Sequence, residues 1–196
     1  MAELLAAFLR GVNVNGNQIR MAALKEAFEG MGFTGVRTVL GTGNVVFTAD
    51  PSAGEPKPRI EHALYAAFGY DAPVYLRTAA ELVRLREHAR AIPVPEGCHL
   101  YLLLCGDAAL PAELTVLFAA SHGGTEEFYP AGADTFWVVP KGETLTSPFG
   151  SKALGAKLYR ARLTSRNWRT VEKGAGANGG TCLTETGSRG ANTRVA

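Results

Sequence analysis

Three strand-like segments of this chain are apolar at odd and even positions alike. They are Leu4–Leu9, Val45–Phe47 and Leu100–Leu104. Successive side chains of a strand point to opposite faces of its sheet, so a segment that is apolar throughout is typical of a strand covered on both faces. The chain is therefore expected to form sheets that have no solvent-facing side at these strands.

The first part of the chain predicts the element order β-α-β-β-α-β. Leu24, Phe28 and Met31 recur at helical spacing. Gly41-Thr42-Gly43 separates two β-rich runs, as in a hairpin. The predicted strands are 4–10, 36–40, 44–48 and 73–77, and the predicted helices are 20–31 and 59–68. This order is that of the ferredoxin-like fold.

The same order begins again after a helix at 79–90, which Pro93 and Pro95 terminate. The predicted strands are 99–105, 125–129, 135–139 and 161–163, and the predicted helices are 111–120 and 150–159. A last short helix is expected to start at Thr164 or Ser165, because either side chain can cap it. Two matching orders in one chain indicate a duplicated fold.

These patterns predict an α+β protein with tandem ferredoxin-like (βαββαβ) repeats, antiparallel sheets and a short C-terminal helix. The expected divisions are a first half at 1–78, a helical connector at 79–97, a second half at 98–173, and a Gly-rich tail at 174–196. The tail has few large apolar residues, so we expect it to be disordered. A single repeat has helices on one sheet face only. Packing of the two halves or a dimer contact must cover the other face, and the oligomeric state is left open.

Composition and cysteine usage narrow the class of protein. Hydrophobic residues make up 46% of the chain, enough for a core, yet no apolar run approaches the roughly 18–20 residues that span a bilayer. Cys98, Cys105 and Cys182 are an odd number without CxxC spacing, which argues against a disulfide framework and a zinc site. We therefore expect a cytoplasmic protein that has no membrane segment, no metal and no cofactor.

The turn after the first strand offers one candidate binding site. Gly11 and Gly16 lack the Lys-Ser/Thr that a phosphate loop requires, so turn geometry is the simpler interpretation. The sharper hypothesis is an anion nest of backbone N–H groups beside Arg10. The first and third strands are neighbours in this fold, so Arg10, Asn13, Asn15 and Asn44 are expected to converge.

The segment 141–173 is strongly basic. It carries eight basic and two acidic residues, a net charge of +6, whereas residues 1–140 carry ten basic and fifteen acidic residues, a net charge of −5. Tyr159 and Trp168 are interleaved with these basic residues. Such a block favours a phosphate-bearing or polyanionic partner, and the alternative is an ordinary solvated helix face.

The leading hypothesis is therefore a protein that binds a phosphate-containing ligand, such as a nucleotide or similar metabolite. The proposed contacts are Arg10, Asn13, Asn44, Lys152, Arg166 and Asn167. Arg166 can act as a bidentate phosphate clamp, whereas Asn167 and Trp168 also fit simpler roles as a helix cap and a core aromatic.

Two other functions remain open from the sequence. One is an enzyme that acts on a small nucleotide-like metabolite through the same residues, although no catalytic residue and no general base can be named. The other is an RNA-binding module that uses its sheet face. The exposed aromatic residues that such a module needs are not predicted, because Phe8 and Phe47 lie in strands expected to be buried on both sides.

Several blocks of the sequence resemble one family. They are Leu9-Arg10-Gly11-Val12-Asn13-Val14, Met21-Ala22-Ala23-Leu24, Gly32-Phe33, Thr38, Gly43-Asn44-Val45-Val46-Phe47, Ser151-Lys152 and Thr164-Ser165-Arg166-Asn167-Trp168-Arg169-Thr170-Val171. These blocks are similar to motifs of the bacterial family catalogued as domain of unknown function 1697. The resemblance implies a tandem plait-like α+β fold and no activity, because the function of that family is unassigned.

The chain departs from the family pattern in three places. Asn15 stands where members usually have a glycine, and Gly41-Thr42 replaces a glutamine-serine pair, which affects any shared loop site. After Lys173 the chain becomes Gly-rich where members continue with leucine-rich residues.

Overall fold

The computed structural model describes residues 2–12, 19–39, 43–69, 71 and 73–176, with the side chains of 173–176 excluded. Within these ranges the order strand, helix, strand, strand, helix, strand, helix occurs twice. The strands are β1 (Glu3–Leu9), β2 (Thr34–Val39), β3 (Asn44–Ala49), β4 (Val74–Thr78), β5 (Cys98–Cys105), β6 (Glu127–Ala131), β7 (Asp134–Pro140) and β8 (Leu163–Asn167). The helices are α1 (Met21–Gly30), α2 (Pro56–Phe68), α3 (Ala79–Ala91), α4 (Leu110–Ala119), α5 (Pro148–Gly155) and α6 (Trp168–Gly176), with short 3₁₀ turns at Pro51–Ala53 and Lys157–Tyr159.

The strands form two four-stranded antiparallel sheets. The order is β2-β3-β1-β4 in the first half and β6-β7-β5-β8 in the second. In the first sheet Leu5 pairs with Phe47 of β3 and with Thr78 of β4. In the second sheet Leu102 pairs with Phe136 of β7 and with Arg166 of β8. The strands therefore occupy equivalent places in the two sheets, and the chain is a mixed α+β protein made of two repeats.

Three apolar clusters form the core, one within each half and one between the halves. Leu24 and Phe28 of α1 pack with the outer face of the first sheet, and Leu114 of α4 and Phe149 of α5 pack with that of the second. The third cluster lies between the sheets and includes Phe8 of one half and Leu102, Phe136, Val138 and Trp168 of the other. Packing of the two halves thus covers the inner sheet faces, which confirms one of the two arrangements expected from the double-sided strands.

The segment predicted as a connector, 79–97, begins with α3. Thr78 Oγ1 accepts a hydrogen bond from the backbone N–H of Glu81, and the Glu81 carboxylate accepts one from the backbone N–H of Thr78 at 2.7 Å. This reciprocal capping box fixes the helix start directly after β4. Leu85 and Ala89 of α3 join the cluster between the sheets, as Trp168 of α6 does. The helix α3 is therefore the first-half counterpart of α6.

The expected start of the last helix at Thr164 or Ser165 is wrong. Both residues lie in β8, which pairs antiparallel with β5, and the helix begins at Trp168. Pairing with β5 buries Leu163 and Thr164, so tertiary contacts outweigh the local capping preference of these side chains. The helix α6 runs to Gly176, three residues into the predicted tail, and 177–196 lie outside the described residues.

Candidate functional site

Two arginines occupy the same place in the two repeats. Arg77 is the fourth residue of β4, and Arg166 is the fourth residue of β8. Each of these strands is the last strand of its repeat and lies at one edge of its sheet. In both repeats the next residues lead into the third helix of that repeat. Each side chain reaches from its own half into the other half. We call the contact region between the halves the junction, and the two arginines allow a direct comparison of its two ends.

Arg77 forms a buried ion pair across the junction. Its Nε donates to Asp134 Oδ2 at 2.7 Å, and its Nη2 donates to Asp134 Oδ1 and to the carbonyl oxygen of Cys105. Asp134 opens β7 and Cys105 ends β5, so both partners belong to the second half. The two side chains are 10% and 3% exposed. This bidentate contact neutralises the charge of the guanidinium within the core.

Arg166 repeats this contact in the opposite direction. Its Nε donates to Asn44 Oδ1 at 2.9 Å, and its Nη2 donates to the carbonyl oxygen of Leu9. Asn44 opens β3 and Leu9 ends β1, so these partners correspond to Asp134 and Cys105. An amide therefore stands in the first half where the second half has a carboxylate.

The residue after the first strand of each repeat also differs. The backbone N–H of Arg10 donates to the Pro73 carbonyl, and that of Gly106 donates to the Arg162 carbonyl, so Arg10 and Gly106 are equivalent positions. The side chain of Arg10 donates through Nη1 to three carbonyl oxygens of the second half, those of Tyr159, Arg160 and Leu163.

We call Arg77, Asp134, Cys105 and Gly106 the Arg77 end, and Arg166, Asn44, Leu9 and Arg10 the Arg166 end. The four residues of the Arg77 end have a formal charge of zero, and those of the Arg166 end have a formal charge of +2. Arg10 and Arg166 donate to backbone carbonyl oxygens, and Arg166 also donates to the Thr164 hydroxyl and to the Asn44 amide oxygen. By the formal charges of these residues alone, the Arg166 end is the more positive of the two.

A buried tyrosine lies near both ends, since a Cβ placed on Gly106 would be 3.4 Å from its ring and Arg10 interacts with its hydroxyl. Tyr75 of β4 is 3% exposed, and burial raises the pKa of its hydroxyl to about 12, although the charges of Arg10 and Arg166 act in the opposite direction. A hydrogen bond with the Arg10 side chain is among the contributions that oppose the effect of burial on this hydroxyl. At neutral pH the group is a protonated donor.

The structure brings together three of the six predicted contact residues: Arg10, Asn44 and Arg166. Asn13, and Asn15, which is expected to converge with it, lie outside the described residues. Lys152 is exposed on α5, and no hydrogen bond or ion pair between described residues joins it to these three.

The remaining predicted contact, Asn167, caps the last helix. Its Oδ1 accepts a hydrogen bond from the backbone N–H of Arg169 at 3.1 Å. The next residue, Trp168, is buried against Phe136 with ring centroids 5.2 Å apart. The simpler roles considered for Asn167 and Trp168, a helix cap and a core aromatic, are therefore both present.

The basic block does not act as one unit. Arg162 donates to Asp107 and to Glu113, each with a shortest contact of 2.7 Å, so two carboxylates offset its charge. These hydrogen bonds lower the pKa of both carboxyl groups. The exposed members of the block are Lys141, Lys152, Lys157, Arg160 and Arg169. Among the described hydrogen bonds, those from the Arg166 side chain are the ones that join a basic side chain of this block to the first half.

Other chemical features of the described residues are weaker candidates for a functional site. Burial raises the pKa of the Cys105 thiol to about 12, so it is not a nucleophile at neutral pH. Within the described ranges no three His, Cys, Asp or Glu side chains are grouped to hold a metal ion. An open groove of about 410 Å³ near Glu3, Pro51 and Thr78 has no basic side chain in its lining. None of the helices that the structure describes combines the length and apolarity needed to cross a membrane.

Sequence reasoning did not single out Arg77, Asp134 or Tyr75. The signal for the first was its position: Arg77 precedes the capping residue Thr78 just as Arg166 precedes Asn167. Aligning the observed strands β4 and β8 brings the two arginines to the same position, whereas the predicted strand at 161–163 ends before Arg166. The partner of Arg77 depends on how the halves pack, which neither repeat shows alone.

Comparison with solved structures supports the fold. A conserved bacterial protein from Streptococcus pneumoniae shares 17% sequence identity with this chain, with a TM-score of 0.69, over 90% of this chain and 98% of that one. A protein of unknown function from Galdieria sulphuraria shares 13% identity over 85% of this chain and 97% of that one, with a TM-score of 0.23. No curated protein matches the sequence significantly.

Comparison with protein families gives one match. It is to the family described as "Protein of unknown function (DUF1697)" and covers residues 2–136. The match ends within β7, so the resemblance of Ser151-Lys152 and of 164–171 to family motifs lies beyond it. It includes Arg10, Asn44, Arg77 and Asp134 but not Arg166. Because the match covers more than half of the chain, this protein belongs to the DUF1697 family.

Proposed function

We propose that this protein binds a phosphate-containing ligand, a nucleotide or similar metabolite, at the Arg166 end of the junction. The observation that carries the proposal is the exchange of Asp134 for Asn44 at equivalent positions. At the Arg77 end a carboxylate completes an ion pair inside the protein. At the Arg166 end the equivalent contact is neutral, and a second guanidinium, that of Arg10, lies nearby.

Guanidinium groups suit this role. They present several N–H donors in a planar fork that matches phosphate oxygens, and charge-assisted hydrogen bonds of this kind are the stronger ones in proteins. Arg10 and Arg166 are half-buried, so each retains access to solvent while its surroundings reduce screening.

The proposal is limited to binding. Tyr75 is protonated at neutral pH because its pKa is about 12, so it does not supply the base that an enzyme would need. RNA binding through the sheet face is not favoured either. Phe8 and Phe47 are buried, and the inner sheet faces pack against each other.

We further infer that each half is a ferredoxin-like unit and that the protein works in the cytoplasm. The repeated βαββαβ order and the equivalent strand orders support the fold assignment. The absence of a disulfide pattern in the sequence supports the compartment.

The test is a thermal-shift and calorimetric titration of the wild-type protein with ATP and pyrophosphate. A ligand at 100 times its Kd is expected to stabilise the protein by about 2.7 kcal/mol. Asn44→Asp recreates the carboxylate of the other end with almost no change in shape, so it is expected to abolish this shift.

Arg90→Ala is the matched control. Arg90 is exposed near the end of α3, so the variant also loses one positive unit of net charge and is expected to keep the shift. The proposal fails if the wild type shows no shift with either compound at low salt, or if Asn44→Asp binds as the wild type does.

A further inference from the structure

We infer that the junction is selective for unlike halves. The inner face of the first half fits the second half of the chain better than it fits a second copy of itself, and Tyr75 and Arg10 supply this selectivity. The inference is independent of the proposed function, because it concerns the partner of a sheet face and not a ligand.

Equivalent positions of the two halves differ in size. Arg10 of the first half corresponds to Gly106 of the second. Tyr75 is the second residue of β4 and Thr164 is the second residue of β8, so these two residues also correspond. At both positions the first half has a long side chain, whereas the second half has a short side chain or none.

The Tyr75 ring of the first half packs against Gly106 of the second. A Cβ placed on Gly106 would lie 3.4 Å from Cε1 of Tyr75 and 3.1 Å from the carbonyl oxygen of Arg162. The φ of Gly106 is outside the left-handed region, so its backbone conformation does not require a glycine. Tyr75 is 3% exposed, and close packing leaves its ring little freedom to move aside. A side chain at position 106 that crossed to the first half, as Arg10 crosses to the second, would therefore meet this ring.

Arg10 fits the second half in the opposite direction. Its Nη1 donates at 2.7 Å to the carbonyl oxygen of Leu163, the residue directly before Thr164. Thr164 is 4% exposed, and its Oγ1 accepts a hydrogen bond at 2.9 Å from Nη1 of Arg166 in its own strand. Because the halves are equivalent, a larger residue at position 164 would face Arg10 as Tyr75 faces Gly106. The short threonine leaves this space to the Arg10 side chain.

These contacts decide which halves fit. Two first halves would bring two copies of Tyr75 and two of Arg10 to one place, and overfilling a packed region is destabilising. Two second halves would bring together only Thr164 and Gly106, and the cavity left between them also costs stability. The unlike pair is the arrangement in which long side chains meet short ones at both positions. A penalty on the like pair of this kind is how an interface gains specificity.

The experiment imitates the pairing of two first halves within the full chain and follows unfolding in urea. Thr164→Tyr gives both halves a tyrosine at this position. It is expected to lower the equilibrium constant for folding about 100-fold, because the added ring overfills the junction beside Arg10. In the Arg10→Gly background the same substitution is expected to lower it at most about tenfold, because the space is then free.

Thr115→Tyr is the matched control, since Thr115 is exposed on α4. Its effect is expected to be equal in the two backgrounds, as for independent sites. Thr164→Leu is a smaller enlargement that covers the case in which Thr164→Tyr does not fold, and its loss is expected to shrink in the same way.

A second pair of variants tests the contact of Tyr75. Gly106→Leu is expected to destabilise the chain, and the loss is expected to be smaller in the Tyr75→Thr background. Part of the loss remains there because of the Arg162 carbonyl. Gly124→Leu is the control, because a Cβ at Gly124 meets no atom within 4 Å.

The inference is supported if the losses shrink in both double-mutant cycles while the controls stay additive. It is wrong if Thr164→Tyr and Thr164→Leu cost as much with Arg10→Gly as without it, or if Tyr75→Thr leaves the cost of Gly106→Leu unchanged. Neither result bears on the anion site, which ligand titration tests separately.

Discussion

The Arg77 end and the Arg166 end have the same backbone framework and different charges. In both, an arginine on the closing strand of one half donates to the last residue of the first strand and to the first residue of the third strand of the other half. One end contains a buried ion pair, and the other pairs its arginine with an amide. A duplicated framework can therefore keep its geometry at both ends while the residues that form the two ends differ in formal charge.

The largest expected effect is at the Arg77 end. Asp134→Asn keeps the shape of the side chain and leaves the buried Arg77 without its counter-charge. Breaking a buried pair in this way costs about 3–5 kcal/mol. Urea denaturation at pH 7 measures the loss, and Asp71→Asn, at an exposed position, is the control. A loss below about 1 kcal/mol contradicts the assignment of this pair as a core contact.

The second effect compares the two arginines directly. Arg166→Met removes hydrogen bonds to neutral oxygens and is expected to cost about 1–3 kcal/mol. Arg77→Met leaves the Asp134 carboxylate buried and is expected to cost about 3–5 kcal/mol. Both are measured by urea denaturation. Equal losses would mean that the two ends are electrostatically alike, which breaks the comparison.

The third effect makes the ends alike by design. Asn44→Asp is expected to raise the free energy of unfolding at pH 7 by up to about 1 kcal/mol, because the carboxylate at this buried position pairs with the half-buried Arg166. The arginine is expected to lower the folded-state pKa of the new aspartate below its unfolded-state pKa of about 3.9. The ion pair then stabilises the protein fully at pH values above that unfolded-state pKa. The gain is then lost as the pH falls through the folded-state pKa. Denaturation at pH 7 and at pH 3 checks this, and a gain that persists at pH 3 contradicts it.

The smallest effect concerns the exposed ion pairs of Arg162, which serve as a reference for both ends. Hydrogen bonds from Arg162 lower the pKa of Asp107 and Glu113. Their contribution to stability is present above the unfolded pKa values near 4 and is lost as the pH falls through the lowered ones. Arg162→Gln is therefore expected to destabilise the protein slightly at pH 7 and less at pH 3. An unchanged difference between variant and wild type at the two pH values contradicts this.

Local patterns were enough to predict much of the fold. The double-sided strands predicted covered sheet faces, and the repeated order of elements predicted two equivalent halves. The adjacency of the first and third strands also predicted that Arg10 and Asn44 would lie near each other. These inferences depend on periodicity and on neighbouring strands, which a sequence records directly.

The contacts between the halves could not be predicted in this way. Arg77 and Asp134 are charged residues in strands, and each alone indicates an exposed position. Only the packing of the two halves shows that they are buried partners. The same holds for Thr164, whose capping chemistry is local, whereas its pairing with Leu104 depends on the assembled sheet. Tyr75 was missed because an aromatic residue in a strand is usually part of a core.

The packing of the two inner sheet faces has a consequence for the halves when they are produced as separate polypeptides. Each would present a bare apolar sheet and is expected to self-associate, with the equivalent residues meeting across a two-fold axis. Two copies of residues 2–91 would place Arg77 opposite Asn44 twice. Two copies of residues 98–176 would place Arg166 opposite Asp134 twice, with both charges matched. The second half alone is therefore expected to form the tighter homodimer, and mixing the halves would restore one end of each kind.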